Sequence, residues 1–496
     1  MRLMQFKSTR DATNLVSASQ AILQGLAADG GLFVPQEFPQ LKPDWDQLSQ
    51  FSYQEMAYYV LSAFLTDYSE ADLRDCINQA YDDKFDTDLI APLVKVGDNY
   101  HLELFHGATI AFKDMALSIL PYLMKKAAEM NDNHNEIIIL TATSGDTGKA
   151  AMAGFADVPG TKIIVFYPNG GVSTIQEKQM LTQKGDNTFV LAVEGNFDDA
   201  QTEVKRLFND DQLKDQLAMA DRQFSSANSM NIGRLLPQVV YYFYAYAQLV
   251  AKGVVDGSQA VDFTVPTGNF GNILAGYYAK RIGLPVGKLV CASNDNTVLY
   301  DFFKAWSYDK NRDFKLTISP SMDILISSNF ERMLYHAIGE DTELLKELMA
   351  RLDQDGVYQL PAYAKENFVD FIGQYADEQE TMAEIAQVKA EANYVMDPHT
   401  AVASKCYRKA QAAEGLSNPS VIVSTASPYK FPAAVLESLG QDTLGLDDDV
   451  LLNRLQAETG VPFPPAIQEL KDAPMRHRQV IAIDQMEGYV KELAVK

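Results

Sequence analysis

Positive charge is what this sequence has least of. Its 42 lysines and arginines face 66 aspartates and glutamates, giving a net charge of −24. Nucleic acids and anionic membranes need a basic surface, so neither is expected as a partner. Any anionic small molecule must then be met by a local cluster of cations. Cysteine is also scarce: Cys76, Cys291 and Cys406 stand far apart without metal spacing. A reduced compartment without a disulfide framework is expected. HExxH and Cys/His clusters are missing, so no metal is expected. No apolar run reaches the length of a membrane span, and the opening MRLMQFKSTR lacks the apolar core of a signal peptide. The expected location is the cytoplasm. Fixed-period repeats and low-complexity tracts are absent as well.

What is present is ordinary globular material, 47% hydrophobic and 22% charged, in 496 residues. That length exceeds one core, so two or three domains are expected. Residues 1–95 read as a helical, acidic N-terminal domain with a tight turn at Asp29-Gly30-Gly31 before Leu32-Phe33-Val34-Pro35. From about residue 100, β-branched runs alternate with helical stretches: EIIIL (136–140), TKIIVFYP (161–168), NTFVLAVEG (187–195), VDFTVPT (261–267), KLVCASN (288–294) and SVIVSTAS (420–427). Such alternation indicates βαβ units and mainly parallel sheet, an α/β fold. Residues 341–390 read as an acidic helical elaboration. The last 60, with Pro462, Pro464 and Pro465, read as a peripheral helical cap. The expected division is 1–95, a large domain from 96–140 with 255–496, and a smaller mobile domain inserted at 141–254.

Two strand-to-helix turns carry chemistry. The first is Thr141-Ala-Thr-Ser-Gly-Asp-Thr-Gly148 and the second is Pro266-Thr-Gly-Asn-Phe-Gly-Asn272. In each, small residues let backbone N–H groups converge at a helix start, where free donors and the helix dipole attract anions. The hydroxyl-rich first turn suits a carboxylate, and the glycine-rich second suits a phosphate held by main chain. Either alone could be a well-capped turn. Neither is a P-loop, and GNFGNILAG is not GxGxxG.

Between them in chemical interest lies HGATIAFKD (106–114), where Lys113 follows Ala111-Phe112 and precedes the apolar MALSILPYLM. A lysine, a phosphate loop and a carboxylate loop together point to pyridoxal phosphate and an amino-acid substrate. Attachment of that cofactor favours a desolvated amine with a lowered pKa. Taken alone, Lys113 also fits a lysine snorkelling from the start of a helix.

HGATIAFKD, TATSGDTG, PTGNFGN, DPHTAVA (397–403) and STASPYKFP (424–432) together closely resemble threonine synthases. So do STR (8–10), GLAADGGLFVP (25–35), VEGNFDDAQ (193–201) and SANSMNIGRLLPQVVYYFY (226–244). The resemblance runs from residue 8 to about 432. It departs at Ala108 and Asp11, where family members often carry proline and glycine. It implies a fold-type II pyridoxal-phosphate enzyme of the tryptophan synthase β kind, with parallel sheets flanked by helices and an extra N-terminal helical domain. The implied reaction converts O-phospho-L-homoserine and water to L-threonine and phosphate; the sequence leaves monomer or homodimer open. Matched by motif, Lys113 is the covalent attachment point. Gly268, Asn269, Phe270, Gly271 and Asn272 are the phosphate cradle, and Thr425 is the hydroxyl facing the pyridine nitrogen. Thr143, Ser144, Asp146 and Thr147 form the substrate-carboxylate loop.

Some roles stay open. Asp146 cannot contact a carboxylate favourably, so it is expected to brace its loop by accepting backbone N–H bonds. Lys149, Arg234 and His399 are candidates for the substrate phosphate. Lys149 also fits a solvated first-turn residue, Arg234 the partner of an acid, and His399 a cap on the helix starting at Thr400. Thr425 alternatively caps the helix at PYKFPAAVLESL, and His106 alternatively packs its own loop. Competing functions are a serine or threonine dehydratase, a cysteine synthase, or a non-catalytic binding relative. The N-terminal 95 residues and the SGDTG loop count against the first two, and the intact Lys113 against the third.

Overall fold

The computed structural model describes residues 3–143, 145–172 and 174–495, and two largely parallel sheets organise them. The larger runs Phe371–Tyr375, Val286–Ser293, Val261–Pro266, Ser420–Ser424, Asn99–Glu103 and Leu93–Val96. Its neighbours are parallel except the last pair, an antiparallel hairpin turned at Gly97-Asp98. The smaller runs Val480–Ala482, Thr188–Glu194, Thr161–Pro168, Glu136–Ala142 and Arg222–Ser225, all parallel. Each of the six β-branched runs is a strand. Ile137, Ile138, Ile139 and Leu140 are all buried, as befits a parallel strand covered on both faces.

The N-terminal helices follow their caps: Ser52 opens Tyr53–Phe64 and Ser69 opens Glu70–Ala80. This region holds more sheet than its composition indicates. Leu15–Ser17, Gln5–Ser8 and Phe33–Pro35 form a three-stranded antiparallel sheet. Strands of three or four residues are too short to show an alternation. Phe371–Tyr375 likewise lies inside the stretch expected to be helical. Val480–Ala482, from the expected helical cap, crosses to become an edge of the smaller sheet. That sheet therefore draws on residues outside the expected 141–254 insert, including Glu136–Ala142. Residues within 141–254 also leave it. The helix Ile232–Ala251 is buried nearly all round and packs against Gly271–Arg281, where Tyr242 hydroxyl donates to the Asn272 carbonyl at 2.9 Å. Strand sequences reveal strands, whereas pairing partners are chosen by long-range packing.

Among the described residues, no helix is long and apolar enough to cross a membrane, and no His/Cys/Asp/Glu group is placed to hold a metal. The feature that positions chemistry is the direction of the strands. The turns that begin at Thr143, Thr267 and Thr425 all follow the carboxyl ends of parallel strands. Ligand sites of open α/β sheets form there.

Candidate active site

Lys113 is held by the strand end beside it. Phe112 N–H donates to the Thr425 carbonyl at 2.8 Å, and Ala111 and Ala426 form an isolated antiparallel bridge. The side chain that follows is largely buried, 13% exposed. Burial pushes its amine down to about 8 against the pull of Asp146, and the nearby charges of Arg234 and Lys430 add to the lowering. Asp114, next in sequence, is pinned by the Thr109 N–H at 2.8 Å and hydroxyl at 2.6 Å.

The glycine-rich turn opens the helix Gly271–Arg281. Phe270 stands before it in the left-handed region, φ +65°, and no side chain caps the helix. Its first N–H groups therefore point outward without a side-chain acceptor. A Cβ placed on Gly268 would lie 2.6 Å from the Ser321 carbonyl oxygen, so only glycine lets the two backbones approach. The turn is fixed from behind: Ser327 hydroxyl donates to the Gly268 carbonyl at 2.7 Å and Asn329 N–H to the Asn269 carbonyl at 3.0 Å. Asn272 accepts from Tyr241 and Tyr242, at 2.7 and 2.8 Å, while its buried Nδ2 has no partner among the described residues.

The hydroxyl-rich turn differs from expectation in one respect. Thr143 Oγ1, rather than Asp146, braces the loop by accepting from the N–H groups of Gly145 at 3.0 Å and Gly148 at 2.9 Å. Asp146, 6% exposed, is instead surrounded by side chains. Gln176 Nε2 at 2.7 Å and Lys430 Nζ at 3.1 Å reach Oδ1. Ser321 hydroxyl at 2.9 Å reaches Oδ2, and Lys113 Nζ stands 3.8 Å from it. Burial opposes that charge, but Lys430 and Lys113 outweigh it and hold the carboxyl well below the usual range. Thr147 is half-buried in the first turn of Asp146–Phe155. Ser144 lies outside the described residues.

Lys149 is not a solvated residue: it bonds Gln183 Oε1, and burial with the charge of Lys430 pushes it down to about 8. Arg234 is buried and donates Nη1 to the Ala227 carbonyl at 3.1 Å, while its Nε has no partner among the described residues. Among the described residues no carboxylate pairs with it, and burial pushes it down to about 10. His399 does not cap its helix. Asp397 does, accepting from the N–H groups of His399 and Thr400, and it also bonds His399 Nδ1 at 2.6 Å. His399 Nε2 accepts the Ser321 N–H at 3.1 Å. The cap at PYKFP falls to Ser427, which accepts from Tyr429 N–H, and not to Thr425. His106 is tied to Asp86 and Glu103.

Residues 5–81 match the family model "Threonine synthase N terminus", 99–427 "Pyridoxal-phosphate dependent enzyme" and 400–490 "Threonine synthase, C-terminal". The threonine synthase of Saccharomyces cerevisiae is 37% identical over 486 residues, 91% of this chain and 92% of its own. The chain belongs to the threonine synthase family of pyridoxal-phosphate dependent enzymes. The crystal structure of pyridoxal-phosphate-bound threonine synthase from Brucella melitensis matches with a TM-score of 0.88 at 37% identity, covering 99% of this chain and 100% of that one. Human threonine synthase-like 1 is 40% identical over 455 residues, 88% of this chain; the chain spans 60% of that protein's length.

The residues present fit the family's cofactor. A buried amine of lowered pKa suits a carbonyl, and an uncapped helix start with the Asn272 and Arg234 donors, unpartnered among the described residues, suits an anionic acceptor. Lys430, Gln176 and Ser321 join this site without having been singled out in the sequence. Lys430 carried a usable signal, since it too is a cation between apolar neighbours, Tyr429 and Phe431. Gln176 and Ser321 carried none.

Proposed function

We propose that this chain converts O-phospho-L-homoserine and water to L-threonine and phosphate, with pyridoxal phosphate as cofactor. One observation carries the reading. In a chain of net charge −24, four largely buried cations, Lys113, Lys149, Arg234 and Lys430, converge on a site where, among the described residues, Asp146 and Asp114 are the acids set against them and the buried Asp397 is taken by His399. A substrate and a cofactor that each bring a phosphate would balance that excess.

Bound pyridoxal phosphate supplies an electron sink that acidifies the α- and β-carbons of an amino acid. The roles of this chain's residues follow from their placement. Lys113 Nζ would anchor the cofactor and, as a free amine, would take up the α-proton and return it. An amine titrating near 8 can do both at neutral pH. Backbone N–H groups of Gly268 to Asn272 hold the cofactor phosphate at the helix start. Thr425, buried at the end of its strand, would offer a neutral hydroxyl to the cofactor's ring nitrogen. The loop braced by Thr143 would receive the substrate carboxylate, and Arg234 and Lys149 would meet the leaving phosphate, while His399, with Nδ1 on Asp397 and Nε2 accepting from Ser321 N–H, holds Ser321 in place.

The test is a product balance. Purified full chain given O-phospho-L-homoserine is expected to release phosphate and threonine in equal amounts. Phosphate accompanied by a 2-oxo acid and ammonia would instead favour a dehydratase, and no phosphate at all would remove the proposal.

A further inference from the structure

Lys430 is fastened at both ends to the surroundings of Lys113. Its wholly buried Nζ donates to the Thr109 carbonyl at 2.9 Å and pairs with Asp146 Oδ1 at 3.1 Å. Thr109 in turn holds Asp114, the neighbour of Lys113. At the other end, Asp146 is the carboxylate that faces the Lys113 amine. That carboxylate is already engaged by Lys430, Gln176 and Ser321, and Lys113 at 3.8 Å is beyond hydrogen-bond reach.

Opposite charges in a dry site attract strongly. Without Lys430, Asp146 would keep only the neutral donors of Gln176 and Ser321, its charge would fall to Lys113, and a paired ammonium is neither nucleophile nor base. We propose that Lys430 is a positioning residue for Lys113: by claiming Asp146, it keeps the carboxylate from closing on the reacting amine. This rests on the reading of Lys113 as that amine. The charged groups facing Lys113 are Asp146, Arg234, Lys430 and Asp114; Lys149 faces Lys430 and Asp114, and His399 faces Asp146. Of these, Lys430 both repels a proton on Lys113 and neutralises the carboxylate that attracts one, so its removal acts twice in the same direction.

The two partners therefore have opposite expected effects, which a loosened site would not produce. Competitive labelling of the cofactor-free full chain with acetic anhydride, from about pH 6 to about pH 11, reads the Lys113 amine through the mass of its peptide. The unmodified chain is expected to titrate near 8. Lys430→Met should move that midpoint up by about one pH unit or more, and Asp146→Asn should move it down. Lys430→Arg, which keeps the charge, should stay near the parent. General loosening would admit water and raise the midpoint in both Lys430→Met and Asp146→Asn. Shifts of the same sign, or none, would overturn the proposal. If Lys430→Met does not fold, Lys430→Gln, which removes the charge but keeps a polar end for the Thr109 carbonyl, carries the same expectation, and a midpoint at or below the parent's overturns the proposal. No turnover is read here, so this result and the product balance fail independently.

Discussion

His106 sits between two carboxylates, Asp86 at 2.5 Å and Glu103 at 2.9 Å. Burial works against its charge, but the hydrogen bonds to Asp86 and Glu103 outweigh it and raise the imidazole to about 9 from an ordinary 6.5. A raised folded-state pKa contributes stability fully present below about 6.5 and lost as pH climbs through 9. Urea midpoints should therefore fall between those values, and His106→Gln should flatten that part of the profile; an unchanged slope would remove the ion-pair account. Thr425 offers a second residue-scale prediction. Its capping role belongs to Ser427, so Thr425→Ala should leave thermal stability nearly unchanged. It should weaken pyridoxal-phosphate binding about fivefold, the equivalent of about 1 kcal/mol for one neutral hydrogen bond. A stability loss with unchanged affinity would contradict this. Residues of this kind are only partly legible. Lys113 reads as functional because two anion-binding turns accompany it. Lys430 has the same apolar flanks, Tyr429 and Phe431, but a lysine among aromatics also fits a snorkelling side chain, and only its complete burial separates the two.

At the scale of elements, the longer parallel strands and their turns were readable because their physics is local. A strand buried on both faces must be a continuous apolar run, and the turn beyond it must free N–H groups if a helix is to begin there. The short strands, the pairing of Glu136–Ala142 with Arg222–Ser225 and the crossing of Val480–Ala482 have no such local signature. Nor does the seam between the two sheets. There the helices Asp146–Phe155 and Asp114–Leu117 approach so closely that a Cβ on Gly154 would lie 2.1 Å from the Leu117 carbonyl oxygen. Backbone cannot yield cheaply, so Gly154→Ala should cost about 1–3 kcal/mol in a urea unfolding series. It should also lower turnover, because the displaced helix begins at the residue after Lys113. Full activity with unchanged stability would show that the seam is softer than its geometry.

Across the whole molecule, the two sheets are tied by more than the chain connections around Lys113. After Val480–Ala482 joins the smaller sheet, the helix Met486–Ala494 packs on it through Met486, Val490 and Ala494, all fully buried. Arg222 and Lys162 hold its last carbonyls, those of Ala494 and Leu493, each at 2.8 Å. Cations at a helix carboxyl end complement its dipole. Deleting residues 478–496 should strip the edge from Thr188–Glu194 and expose its apolar residues, at a cost on the order of 5 kcal/mol for the buried side chains lost. A lowered melting temperature with dye binding is expected, and an unshifted one would make the segment an appendage. The overall charge of −24 was legible from the start, as was the need for a cationic site; where those cations meet required the fold. The central claim is that they meet around Lys113. Borohydride reduction of the pyridoxal-phosphate-loaded full chain, followed by peptide mass mapping, tests it most directly. The account predicts one reduced adduct, on the peptide containing Lys113; an adduct on Lys149 or Lys430, or none, would contradict it.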